Sequence, residues 1–451
     1  MPFNNKSYAK IALTTTILLS IILLAISCKE CPSEPKPDPE YNIYLSVEDM
    51  LCTWITFKVT LPDSGKINSF ALDRNGSTIA TYTCNDNDTL ITDEGLTPDT
   101  DFSYKVRFLK GGKIKAESEP FIVHTMPTTS HDFIWEVDTL GNYGSYLKDV
   151  WVVDEDNIWV VGNIETDSGE YNAARWNGTE WEPMGIYSNT LDLYSIWYFS
   201  ENDVLVTDFG FPIHWDSNEW TLYHLQNMGM AGVSAGFGIW ASSPSNIYFV
   251  GYRGSIVHYD GSTFTKMESG TDIELTDIYG YDRNHIWACG EDMASLRSVI
   301  LRFEGSNWNK IYESYADGSN NLTDDCPDSP LAYTLWMHAS SSMIWINGGN
   351  GIFMMSQELW PNNYRDQNIF SHFDRVGFIR RIRGSDDNDL FFVGDHEALH
   401  WNGQTWRRYS EIITPARRFW SVSVKDNFVV LVGSERQGMF DVGLVVRGYR
   451  N

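Results

Sequence analysis

Three histidines, His214, His258 and His400, are the first side chains whose type suggests chemistry, because imidazole is a common zinc ligand. Each precedes the aromatic of a short strand in a different copy of one repeated cassette, where Arg175 and Arg302 stand in other copies. Zinc needs three or four ligands converging within about 2.0–2.3 Å, and equivalent positions in separate repeats do not meet by default. A structural role is expected for them, with no metal and no other cofactor. Asp317, Asn320, Asn321, Asp324 and Asp325 have the ligand types of a calcium loop but miss the EF-hand spacing, so a solvated loop is expected.

Departures from the repeat carry more information than the repeat itself. Arg383 stands where other copies carry Trp151, Trp197, Trp240, Tyr279 or Trp336, and Arg381 stands where others carry Asp149 or Asp277. On an innermost strand the two arginines share one face. Buried guanidinium groups require partners; neighbouring acids could supply them, or a carboxylate-bearing ligand. Loops after the second strands begin at Asn163, Tyr252, Glu291, Asp395 and Ser434 and should gather on one rim. The candidate ligand site is therefore Arg381 and Arg383 with Glu291, Asp395 and His396, and no catalytic residue is assigned. Long connections at 315–330 and 361–377 add further room for binding.

What positions these residues is a cassette of about forty residues. An apolar strand ending in glycine occurs at Ile158–Gly162, Ile247–Gly251, Ile286–Gly290, Ile344–Gly348, Leu390–Gly394 and Val429–Gly433, with a weaker copy at Val204–Val206. A hairpin follows, as in Trp176-Asn177-Gly178 and Trp401-Asn402-Gly403. Four strands per unit match a propeller blade. Complete units are expected at 147–186, 193–225, 232–270, 275–314, 331–360 and 378–412, with an incomplete one from 419 to 451. Phe133-Ile134-Trp135-Glu136-Val137 reads as the missing outer strand that closes the ring and hides its edges. The expected fold is all-β, a sandwich followed by a seven-bladed β-propeller at 132–451.

The N-terminal region gives an address. Lys6 and Lys10 precede a sixteen-residue apolar run, Ile11 to Ile26, which is short for a membrane span. Residues 1–27 read as a signal peptide and 28–40 as a proline-rich tether. Removing the signal takes away two lysines and no acid, so a net charge of −27 becomes −29. Such an acidic field argues against phosphate-backbone binding, and no nucleic-acid partner is expected. Cys31, Cys52, Cys84, Cys289 and Cys326 suggest no disulfide framework in a chain this long.

Several stretches resemble known families. Leu24-Ala25-Ile26-Ser27-Cys28 resembles a bacterial lipobox, which implies that Cys28 is diacylated and ties the protein to the membrane. Leu96-Thr97-Pro98-Asp99-Thr100-Asp101-Phe102-Ser103-Tyr104 resembles the approach to the sixth strand of a fibronectin type III domain, which implies such a domain at 41–127. Phe102 stands where that family has tyrosine. The repeat is similar to tectonin-type and YCF48-like (BNR-type) propellers, which include lectins, assembly factors and glycan-acting enzymes. The glycan-hydrolase signature is not met; Tyr259-Asp260-Gly261-Ser262-Thr263-Phe264 comes nearest. The resulting expectation is a non-catalytic lipoprotein of the bacterial cell envelope, at the outer membrane or cell surface, that binds protein or glycan. The alternative is a glycan-cleaving propeller enzyme with a divergent site.

Overall fold

The computed structural model describes residues 42–61, 68–84, 88–292, 294–314, 333–338, 343–348, 351–356, 364–366 and 376–451. The expected signal peptide, Cys28, the tether, Cys31, Cys326, the acidic loop and most of the second long connection lie outside them. Among the described residues no helix is long and apolar enough to cross a membrane.

Period-two alternation governs the first part. Along Asp101–Lys110, Phe102, Tyr104, Val106 and Phe108 are buried while their neighbours are not. This strand joins Asn68–Arg74, Ser77–Cys84, Lys113–Glu117 and Phe121–His124 in one sheet; Tyr44–Met50, Trp54–Thr60 and Asp88–Glu94 form another. The sheets meet where Phe57 packs on Tyr104 at 4.6 Å between ring centres. Phe102 cannot donate a hydrogen bond, and Tyr104 supplies the buried phenol instead, donating to Asp93 at 2.7 Å. Asp93 also accepts from Arg74 at 3.0 Å.

Beyond residue 132, the described residues form seven four-stranded antiparallel sheets. The strands are short, β-branched and buried on both faces, as in Asn246–Tyr252 and Asp389–Gly394. First strands of successive sheets lie side by side, and the last, Arg417–Lys425, neighbours the first, Tyr146–Asp154. The series thus returns on itself. In the final sheet the outer strand is Phe133–Leu140, paired with Phe440–Arg450 from Arg450↔Phe133 to Gly443↔Leu140.

The glycine near the end of most second strands has a physical cause. In the first sheet Leu147 faces Gly162 and Asp149 faces Val161, so Lys148 is an extra residue, a β-bulge. The same single-residue slip sets Tyr194, Thr276, Arg380 and Trp420 apart. The bulge drives its backbone onto the opposing strand. A Cβ on Gly290 would lie 1.7 Å from the Glu274 carbonyl oxygen, and one on Gly433 would lie 1.8 Å from that of Arg418. Only glycine admits so close an approach.

The sandwich and the sheets beyond residue 132 are packed together. Residues 42–451 cluster as one compact unit. Leu51 and Trp54 share a core with Trp345, Phe392 and Trp401 of the fifth and sixth sheets. The Cys52 thiol donates to the Pro127 carbonyl at 3.1 Å, and Asn388 donates to the same oxygen at 2.7 Å. Thr129 donates to the Asn388 carbonyl at 2.6 Å. Burial pushes the Cys52 thiol up to about 12, so it has little nucleophilic character. Cys52 and Cys289 are both buried and free.

Candidate functional site

The repeated bulge decides what faces the axis of the ring. Regular alternation would turn the residue before Asp149, Ser195, Asp277, Arg381 or Ser421 away from it. The extra residue instead lets two consecutive side chains line the central channel. The lower of these positions forms a polar belt. Asp149 accepts from Ser195 at 3.0 Å and Ser421 at 2.6 Å, so it joins the first strands of three sheets.

Asp277 repeats this pattern on the other side, accepting from Thr334 Oγ1 at 2.6 Å. Arg381 Nη1 donates to its Oδ1 at 2.6 Å. Arg383 donates to Oδ1 at 2.8 Å and Oδ2 at 3.1 Å. Burial works to raise the Asp277 carboxyl, but Arg383 and Arg381 prevail and hold it below its ordinary value. The two arginines thus close on an acid from another sheet, which is the neighbouring-acid pairing that the sequence left open beside a ligand. The aromatics below them serve packing: Trp151 and Trp197 meet at 4.8 Å, and Trp240 donates to the Gly280 carbonyl at 2.7 Å.

Arg381 lines cavities on both sides of the belt. One cavity holds Arg383, Trp151, Trp197 and Tyr279. The other, about 380 Å³, is the channel mouth on the side of the bulges. Its wall contains the upper residue from each of the seven sheets: Lys148, Tyr194, Phe237, Thr276, Tyr333, Arg380 and Trp420. Glu274, Glu291 and Asp292 complete it on one side.

Trp420 stands between two cations. The Lys148 ammonium lies 3.6 Å from its ring centre and the Arg380 guanidinium 4.1 Å. Arg380 also donates to both oxygens of Asp395, at 2.8 and 3.0 Å, a bidentate pair. Burial, reinforced by Arg380, holds Lys148 down to about 8. Glu291 is 5% exposed, and its Oε2 has no hydrogen-bond partner among the described residues. Burial pushes Glu291 up to about 7 against the opposing pull of Arg380. Outside the mouth, Phe209 continues the aromatic wall, meeting Phe237 at 5.4 Å and Tyr194 at 5.8 Å.

Of the sequence-derived site residues, Glu291 and Arg381 therefore line the mouth. Asp395 stands behind Arg380, and Arg383 belongs to the opposite cavity. His396 sits in a turn with φ of 63°, its Nδ1 bound to the Arg417 carbonyl at 2.9 Å, and does not line the mouth. Lys148, Tyr194, Phe237, Tyr333, Arg380 and Trp420 were missed. The three histidines do not converge. Each clips its own sheet, to Asp203 at 2.8 Å, Asn246 at 2.9 Å and Asp389 at 2.9 Å, as Arg175 does to Asn157 at 2.9 Å. His338, Asp386 and Asp387 offer ligand atoms within 4.8 Å of one another, but His338 already faces Asp386 and Asp387 accepts from Trp345.

Sheet architecture and axial channel define the class: a β-propeller. No family model matches the chain, and no curated protein matches it in sequence. Among solved structures, YCF48 bound to a D1 peptide is similar at 15% identity and a TM-score of 0.52, over 72% of this chain and 99% of that one. That likeness supports the fold alone. Regucalcin, a calcium-binding protein from Agrobacterium tumefaciens, reaches a TM-score of 0.37 at 7% identity over 70% of this chain and 97% of its own, too low to carry an argument.

Proposed function

We propose that this chain is a non-catalytic binding lipoprotein of the bacterial cell envelope, anchored through lipid on Cys28. In this reading a fibronectin III-like domain at 41–127 braces a seven-bladed propeller at 132–451, and the propeller presents its channel mouth to a ligand. One observation carries it. At a single structural position, seven sheets deliver Lys148, Tyr194, Phe237, Thr276, Tyr333, Arg380 and Trp420 into one cavity. The packing column below the belt is mostly aromatic, as at Trp151, Trp197, Trp240, Tyr279 and Trp336, whereas this one mixes cationic, aromatic and hydroxyl groups. Such a mixture suits recognition. YCF48 carries a D1 peptide in its structure; for this chain that supports recognition as the class of function and names no ligand.

The test is a glycan-array and pull-down screen with the fragment starting at Tyr41. A specific ligand whose binding is lost in Lys148→Met, with the melting temperature kept, is the expected result. Binding unaffected by every mouth substitution would overturn the site. For the address, Cys28→Ser is expected to abolish labelling by a fatty-acid probe and leave an unprocessed precursor. Normal labelling of that variant would remove the lipobox assignment.

A second reading rests on Glu291 and Glu274 lining the same cavity, with burial raising both carboxyls. A carboxyl near 7 in a cavity with a second carboxyl is what general acid catalysis by a glycan-cleaving enzyme requires. Release of reducing ends from any glycan, abolished in Glu291→Gln, would favour it over pure binding.

A further inference from the structure

The mouth contains two polar groups whose needs are unmet, and they face one space. No carboxylate pairs with the Lys148 ammonium among the described contacts; its neighbours are the rings of Trp420 at 3.6 Å, Tyr146 at 5.1 Å and Tyr194 at 5.5 Å. Glu291 Oε2 is buried and without a partner. A half-buried ammonium without a carboxylate and an unsatisfied buried oxygen each carry a cost that a complementary ligand can recover. Arg380 is committed to Asp395 and shields the Trp420 ring from one side. Tyr194, Phe237 and Tyr333 supply flat apolar wall around the same space.

We propose that the channel mouth binds a six-membered ring bearing one carboxylate, with Lys148 holding the carboxylate and the aromatic wall covering the ring. This rests on the binding reading above and narrows it. An ammonium–carboxylate contact in a mostly desolvated site is a strong charge-assisted bond. An ionised Glu291 in the same wall repels the carboxylate, and a protonated one does not. The negative π-faces of the wall accept the polarised C–H bonds of a sugar ring or the edge of an aromatic one. Sugar acids and aromatic acids share this chemistry.

The proposal predicts the sign of the pH dependence. Glu291 titrates near 7, facing Arg380 and Tyr333 from the neighbouring sheets, with Glu274, Asp292 and Cys289 on its own. Lys148 titrates near 8, facing Arg380 and Asp192 with Tyr146 and Tyr194 alongside. Raising the pH first ionises Glu291 and then discharges Lys148, and both changes weaken a carboxylate's binding. Affinity should therefore be highest near pH 6 and fall steadily toward pH 8.5.

Calorimetry on the full chain tests this with D-glucuronate, D-galacturonate, benzoate and cyclohexanecarboxylate, against acetate and D-glucose as controls. At least one ring acid should bind at least tenfold more tightly than either control. Preference for the uronates identifies a sugar-acid source, and preference for benzoate an aromatic one. Lys148→Met should cost at least tenfold, while Glu291→Gln, whose amide does not ionise, should keep binding and lose the pH step near 7. Binding that strengthens with pH in the unmodified chain, or no preference for ring acids over controls, overturns the proposal without any variant having to fold. A screened ligand that binds without competition from any ring acid would leave the binding reading standing and end this one.

Discussion

Asp277→Asn is expected to destabilise the fold by about 3–5 kcal/mol, because breaking a buried ion pair strands its partners. Asp277 is 1% exposed and accepts from Arg381, Arg383 and Thr334 in two other sheets. The backbone N–H of Leu335 adds a contact at 3.3 Å. Removing the charge leaves two guanidinium groups in the channel wall without a counter-ion. A drop in melting temperature of roughly 5–15 °C should follow. Asp277→Leu combined with Arg381→Met and Arg383→Met should recover much of the loss, since a well-packed apolar trio carries no desolvation cost. The folded-state carboxyl is held low, so its contribution is present above the unfolded value and lost as pH falls through the folded one. Acid should therefore weaken the normal protein more than the apolar triple variant. Melting of Asp277→Asn within a degree or two of normal would show that the belt contributes little.

That belt shows where the sequence is readable. Strand runs ending in glycine repeat because Gly162, Gly290, Gly394 and Gly433 each face a bulge, and a repeat imposed by sterics survives as a visible pattern. The pairing of Phe133–Leu140 with the last strand was also legible, because a fourth strand lacked a sheet and a sheet lacked a fourth strand. The mouth was harder to read for one physical reason. Alternation at period two assigns Arg380 and Arg381 to opposite faces, so a reading anchored on Arg381 turns Arg380 away from the channel. The bulge cancels that rule at this position, and the same error hides Lys148, Tyr194 and Trp420. A usable signal was present: the residue just before the Asp149, Asp277 and Arg381 column changes chemical class from copy to copy. The docking of Trp54 against Trp345 and Trp401 left no such mark, since a buried residue in an alternating strand looks the same whichever surface covers it.

Deleting the closing strand is expected to be as damaging as removing Asp277. A chain beginning at Ser145 lacks Phe133–Leu140, and one beginning at Thr128 keeps it. The difference is not where the sequence suggests, because Ile134 and Val137 are exposed by 56% and 41%. Phe133 and Trp135 instead pack on each other at 5.4 Å and on Tyr409 at 6.0 and 4.8 Å, bridging to the sixth sheet. Leu140 is buried beside Leu147 and Val445. Arg447, 7% exposed at its side chain, pairs with Glu136 at 3.0 Å and Asp138 at 2.9 Å, over the Trp176 ring at 4.0 Å. Without the strand, that guanidinium loses both acids. Buried Leu140 contributes about 1.5–3 kcal/mol, the half-buried Phe133 and Trp135 add a part of that each, and the lost ion pairs of Arg447 add to the loss. The shorter chain also exposes the ladder edge of Phe440–Arg450, a template for pairing with another copy. It should melt at least 10 °C lower by the usual scaling of several kcal/mol, and aggregate on heating. Equal melting temperatures and equal light scattering for the two chains would show that the ring closes without this strand.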